Sequence, residues 1–181
     1  MRGTAHRALA AVAASVAFGA LASSGALANA SKHRGGSNEP STLSSPQLWA
    51  TVDVCKTATQ PVVGIRGSIP ADGHPHDLMY MRFGIQYLDT ATGKWTYLSK
   101  GAETSYTEIG SANVTRQAGK SFYLKSPPAG ESYEVRGIVE FEWQRDGKVV
   151  LSASRETTAG HHATVLHAEP AGFSAAICKV E

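Results

Sequence analysis

The sequence predicts one all-β sandwich of seven to eight short strands, closed by a single disulfide and lying behind a cleaved signal peptide. Three observations carry this. From Leu48 onward apolar residues recur with period two, the repeat that sends alternate side chains to opposite faces of a strand. Clusters of Gly, Pro and Asp separate these runs at short intervals, and no long stretch keeps a helical period. The chain holds two cysteines, Cys55 and Cys178, at the two ends of the β-rich region.

Residues 1–30 read as the signal peptide. Arg2, His6 and Arg7 give a basic start, residues 8–21 are an alanine-rich apolar run, and Ala26-Leu27-Ala28 and Ala28-Asn29-Ala30 are small-residue cleavage patterns. No cysteine follows the cleavage region, no later apolar run is long enough to span a membrane, and the C-terminus carries no sorting tail. The mature chain is therefore expected to be secreted, in a compartment where disulfides persist. Residues 31–46, rich in Ser, Gly, Asn and Pro, read as a flexible leader. Residues 47–181 read as the sandwich domain.

Each strand is argued from its own alternation. Residues 48–55 place Leu48, Ala50, Val52 and Val54 on one face, and residues 62–69 follow Pro61 as a second strand. Residues 78–88 put Met79, Met81, Phe83, Ile85 and Tyr87 opposite Arg82, Gly84 and Gln86, as in a sheet with one packed and one wetter face. Residues 95–98 form a short edge strand. Residues 99–119 are the least legible part, and short strands are expected near 105–109 and, just beyond it, 121–124. Residues 133–143 alternate most clearly: Tyr133, Val135, Gly137, Val139, Phe141 and Trp143 share one face. Asp146-Gly147 is the strongest hairpin signal, because a two-residue turn needs positive φ at both positions. It returns the chain as residues 148–158, and a last strand over 173–180 carries Cys178. A bridge across the 123-residue separation of Cys55 and Cys178 would stabilise by about 4–5 kcal/mol in the chain-entropy model.

One segment is more pointed. Leu124-Lys125-Ser126-Pro127-Pro128-Ala129-Gly130-Glu131-Ser132-Tyr133-Glu134-Val135-Arg136 resembles the corner that opens the penultimate strand of immunoglobulin-like and fibronectin type III-like domains. The resemblance implies that the Tyr133 hydroxyl satisfies a backbone group at the turn. It further implies that the first and last strands run parallel side by side, so that Cys178 reaches Cys55 and the Asp146-Gly147 hairpin becomes an excursion between the last two strands. Over most of the mature chain the sequence also resembles uncharacterised small secreted proteins of actinobacteria. Leu48-Trp49-Ala50-Thr51-Val52-Asp53-Val54-Cys55, Gly64-Ile65-Arg66-Gly67-Ser68-Ile69-Pro70, Met81-Arg82-Phe83, Phe141-Glu142-Trp143 and Ser174-Ala175-Ala176-Ile177-Cys178 carry that likeness, which lends no functional residues.

Charge narrows the partners. Of 17 basic residues Arg2 and Arg7 leave with the signal, so 15 face 15 acidic ones and no basic excess remains for nucleic acid or an anionic membrane. His74 and His76, with His161 and His162, are the candidate metal ligands, since a His-x-His pair on extended chain projects both imidazoles to one side. The derived topology sends both histidine loops toward one end of the sandwich. Glu134, Glu140 and Glu142 share a strand face, where paired carboxylates could serve acid–base hydrolysis, but wet-face charge explains them too, and Arg155 falls diagonal to Glu140. No nucleophile elbow or phosphate-binding loop is present. Of the aromatics Trp49, Trp95, Tyr97, Tyr106 and Trp143, the pair Trp95 and Tyr97 on the edge strand is best placed to bind a partner. The sequence thus points to a monomeric, non-enzymatic secreted module binding a protein or a cell-surface glycan, with no catalytic residue, cofactor or resident metal expected. A metal-binding or hydrolytic protein using the histidine loops, and a passive envelope protein, are the alternatives.

Overall fold

A computed structural model describes residues 39–98 and 101–181. The signal expected over residues 1–30 and the leader up to residue 38 lie outside them. The described part opens with a short helix, α1 (Glu39–Leu43), with Pro40 in a first turn where its missing N–H is no loss. Thr42 is buried, Leu43 packs on the core, and the Leu43 carbonyl accepts a hydrogen bond from Arg155 Nη2 at 2.7 Å. The helix α1 thus lies inside the segment expected to be leader.

Nine strands follow among the described residues: β1 (Trp49–Lys56), β2 (Val62–Ile69), β3 (Leu78–Asp89), β4 (Lys94–Tyr97), β5 (Thr107–Ser111), β6 (Arg116–Tyr123), β7 (Tyr133–Arg145), β8 (Lys148–Glu156) and β9 (Cys178–Val180). One sheet has the order β1-β2-β6. The other has the order β4-β3-β7-β8, with β5 also on β3 and β9 also on β7. This order is compatible with an immunoglobulin-like sandwich, with more strands than expected because the region around 94–111 forms a broken edge along β3. There β4 pairs residues 86–89, Ala102 and Thr104 bond Ile85 and Phe83, and β5 pairs residues 78–81.

The core lies between the sheets. Val52, Val63, Ile65 and Phe122 meet Met79, Met81, Phe83, Ile85, Val135, Val139, Phe141 and Trp143, each at most 6% exposed. Burying one such side chain is worth about 1.5–3 kcal/mol. Trp143 Nε1 donates to the Pro70 carbonyl at 3.1 Å, so the largest core residue leaves no polar atom unpaired. Two glycines set how closely the sheets approach. A Cβ on Gly67 would lie 3.0 Å from Val139 Cγ1, and one on Gly137 would lie 2.6 Å from Ile65.

The Asp146-Gly147 turn has φ of 50° and 72°, the positive pair its sequence predicts. A β-bulge follows it, shifting the β7–β8 register between Trp143 and Gln144. Glu140 consequently faces Ser154, and Arg155 faces Val139. The expected Arg155–Glu140 diagonal is therefore not formed: the extra residue turns Arg155 to the opposite face, where it reaches Leu43.

The C-terminal topology also differs from expectation. β8 is a full member of the six-stranded sheet rather than an excursion, and its continuation meets β1, with Thr158 N donating to the Ala50 carbonyl at 2.8 Å. The last strand spans only residues 178–180 and pairs antiparallel with β7, while Ala175 bridges Val52 of β1, also antiparallel. The chain switches sheets between Ala175 and Cys178, which no single parallel strand could do. Thr157 stitches this crossing. Its Oγ1 accepts from Gly137 N at 3.0 Å and donates to the Ala176 carbonyl at 2.6 Å. The disulfide joins Cys55 at the end of β1 to Cys178 in β9, with Cα atoms 5.6 Å apart, and so links the two sheets.

Candidate functional site

The outer face of the six-stranded sheet gathers the aromatic and charged residues that alternation turns away from the core. β3 contributes Tyr80, Arg82, Gly84 and Gln86; β7 contributes Arg136, Ile138, Glu140 and Glu142. β4 adds Trp95 opposite Leu88 and Tyr97 opposite Gln86. Trp95 is half-buried, because the Arg136 guanidinium lies over its ring, 4.5 Å from the centroid. That guanidinium is fixed by donating from Nε to Gln86 Oε1 at 2.9 Å and from Nη1 to Glu156 Oε2 at 2.6 Å. Tyr97 is 37% exposed and seats on Gly84, where a Cβ would stand 2.9 Å from its Cε1.

Beside them Glu140 Oε2 accepts from Arg82 Nη2 at 2.6 Å and from Tyr106 Oη at 2.9 Å, and Arg82 lies over the Tyr106 ring at 5.3 Å. Burial, with the hydrogen bond to Glu140, drives the Tyr106 hydroxyl far above the usual phenol range. Burial alone would raise Glu140, but the bonds from Arg82 and Tyr106 outweigh it and hold the carboxyl below its ordinary value. Glu140 is thus a committed acceptor, unsuited to donating a proton. With Glu103, Glu108, Glu142 and Glu156 around Arg82 and Arg136, the face is acidic.

The histidines take separate places. Asp72, His74 and Asp77 each bring a ligand atom within 4.8 Å of the others. Both Asp77 oxygens, however, accept from Arg145, Nε at 2.8 Å and Nη2 at 2.7 Å, and Asp72 Oδ1 accepts from His74 N at 2.7 Å. The arrangement clamps the β2–β3 loop to the end of the β7–β8 hairpin, and a cation there would compete with the guanidinium. His76 is exposed beside His74 in a hollow with Arg145 and Asp146. His161 lies elsewhere, stacked on Trp49, and His162 Nδ1 shares a hydrogen bond with the Gly172 carbonyl at 2.7 Å. The two histidine loops reach the same end of the sandwich, but no cluster of ligating groups joins them among the described residues.

Tyr133, half-buried, donates its hydroxyl to the Lys125 carbonyl. Sequence reasoning placed Trp95 and Tyr97 on the edge but missed Arg82, Gln86, Tyr106 and Arg136 as their surroundings. The polar alternation of β3 and β7 was readable; which residues it sets opposite one another depends on register across strands.

No protein-family model matches the chain, and no curated protein matches it. Among solved structures, a putative beta-galactosidase from Bacteroides fragilis matches at 18% identity over 65% of this chain and 18% of its own, with a TM-score of 0.34. A glycosyl hydrolase family 2 member from Bacteroides cellulosilyticus DSM 14838 matches at 13% identity over 63% of this chain and 15% of its own, with a TM-score of 0.33. The chain spans less than a fifth of the length of either enzyme.

Proposed function

We propose that the chain is a secreted, monomeric, non-enzymatic β-sandwich module that binds a protein or a cell-surface glycan on the outer face of its six-stranded sheet. The observation that carries this is the braced pair Trp95 and Tyr97, one ring under Arg136 and the other seated on Gly84. Aromatic and arginine side chains dominate binding energy at interfaces, and rings already fixed lose little freedom on binding. The acidic surroundings suit a neutral glycan or a basic protein surface and reject polyanions. Export is supported by the signal read in residues 1–30 and by the inter-sheet disulfide. It also fits the resemblance to small secreted actinobacterial proteins. The hydrolytic alternative gains nothing here, since Glu140 is held ionised by Arg82 and Tyr106.

The test is a glycan array and a pull-down with the exported protein, repeated with Trp95→Ala/Tyr97→Ala. The double variant should melt near the parent and lose binding by about tenfold or more. Full retention of binding by a folded double variant would remove the sheet face from the mechanism.

A further inference from the structure

A second feature lies on the other sheet. Trp49, Ser68 and Gln117 form a row across β1, β2 and β6, because Ser68 pairs with both of the others on the outer face. The chain after β8 folds over this row as a roof. His161 lies flat on the Trp49 indole, with ring centroids 4.4 Å apart and planes 16° from parallel. Gln117 Nε2 donates to the Thr164 carbonyl at 2.7 Å, and its Oε1 accepts from Leu166 N at 3.1 Å. At the other side His161 N donates to Ser174 Oγ at 3.0 Å, and Ser174 Oγ shares a hydrogen bond with Thr51 Oγ1 at 2.7 Å. The roof is thereby pinned at both margins. Beneath it is a cavity of about 450 Å³, within the range of small-molecule sites.

The lining is unusual in two respects. It contains no Lys, Arg, Asp or Glu: besides the stack and the row it is made of Pro46, Gln47, Thr115, Gly160 and Thr164. It also holds an unused polar group. Ser68 is only 1% exposed, yet its hydroxyl makes no hydrogen bond among the described residues, whereas its neighbour Gln117 bonds through both its amide nitrogen and its amide oxygen, and Thr115 Oγ1 donates to Gln47 Oε1 at 2.6 Å. No buried side-chain polar atom among the described residues is sealed off without a partner, so the Ser68 hydroxyl opens on the cavity it lines. Trp49, 6% exposed, likewise has no hydrogen-bond partner for its indole N–H among the described residues. Nearly covered polar groups are ordinarily satisfied. Here two belong to residues that pair across β1 and β2 and both line the cavity.

We infer that this cavity binds a small neutral polyhydroxylated molecule, such as a pyranose sugar, with a hydroxyl group paired to Ser68. The Trp49–His161 stack closes one side of the cavity with uncharged rings, and Ser68 Oγ can both donate to and accept from a ligand hydroxyl. An ionic ligand would be stripped of water with no opposite charge to meet it, so the lining selects against charge. His161 adds no cation at neutral pH: burial first, then the neighbouring His162, lowers its pKa. The site is independent of Trp95 and Tyr97, which stand on the other sheet.

The test titrates the full chain, labelled with ¹⁵N, with glucose, galactose and N-acetylglucosamine as neutral probes and with glucuronate and glucosamine as charged ones. At least one neutral sugar should shift the Trp49 indole N–H resonance to saturation, with the charged probes at least about tenfold weaker. Ser68→Ala should retain the melting profile and weaken the neutral sugar by about tenfold. Trp95→Ala/Tyr97→Ala should leave this titration unchanged, which keeps the outcome separate from that of the sheet face. Absence of a saturable shift with every neutral sugar, unchanged affinity in Ser68→Ala, or equal binding of the charged probes would each overturn the inference.

Discussion

Asp77 is 1% exposed and ionised, a state a buried carboxylate tolerates only with charge-assisted partners, and Arg145 supplies two. The Arg145 hydrogen bonds, acting against burial, hold its carboxyl below the usual range. Its neighbour Asp72 is shifted the other way, by burial first and by Asp77 beside it. The signs are opposite. Asp77 stabilises the fold above its unfolded pKa of about 3.9, and that contribution is lost as pH falls through its depressed native value. Asp72 is unfavourable while ionised, and that penalty disappears as pH falls through its raised value. Asp77→Asn should therefore destabilise by about 1–3 kcal/mol at pH 7. Its melting temperature should also fall less steeply than the parent's as the pH drops below about 4. Parallel acid profiles for variant and parent would show that the clamp is electrostatically inert. None of this was legible in the sequence, where Asp77 and Arg145 stand 68 residues apart and nothing marks them as a pair.

At the scale of elements, the strands with one buried face were readable and the edges were not. β7 alternates strictly because each inward residue meets the opposite sheet, and its expected start at Tyr133 and its turn at Asp146-Gly147 are those observed. β5 and β6 are half-exposed along much of their length, so their composition records little of their pairing; the strand expected near 105–109 lies at 107–111, and that near 121–124 is the end of β6. The β8 bulge was equally hidden, since one unpaired residue changes no composition yet reverses which face Arg155 occupies. Gly137 is the opposite case, a position whose lack of a side chain has a definite packing reason. A methyl group there would meet Ile65 at 2.6 Å and Thr157 at 2.7 Å. Gly137→Ala should accordingly destabilise by about 3 kcal/mol through overpacking, measured by urea denaturation. A midpoint unchanged within error would mean that the sheets can separate without penalty.

For the whole molecule, two cysteines and an alternating pattern sufficed for an all-β sandwich with one Cys55–Cys178 bridge, because those features are set by composition and period. That the bridge joins the two sheets, rather than neighbouring strands of one, was not legible. The path of residues 157–180 was beyond them: it depends on Thr157 and Ala175 finding partners in different sheets, a matter of three-dimensional closure. Removing the bridge with Cys55→Ser/Cys178→Ser should lower stability by about 4 kcal/mol, read as a shift in the denaturation midpoint. A shift no larger than the error would mean that the unfolded chain gains no freedom without it. The bridge has a mechanical consequence as well. Tension that enters through β1 and leaves through β9 passes from Cys55 to Cys178 along a covalent link, bypassing every hydrogen-bonded ladder in between. Under load the intervening chain is slack, and roughly 400 Å of contour stays in reserve until the sulfurs are reduced. A molecule built this way holds the span from Cys55 to Cys178 at fixed length under load, so that only the chain outside the bridge can extend.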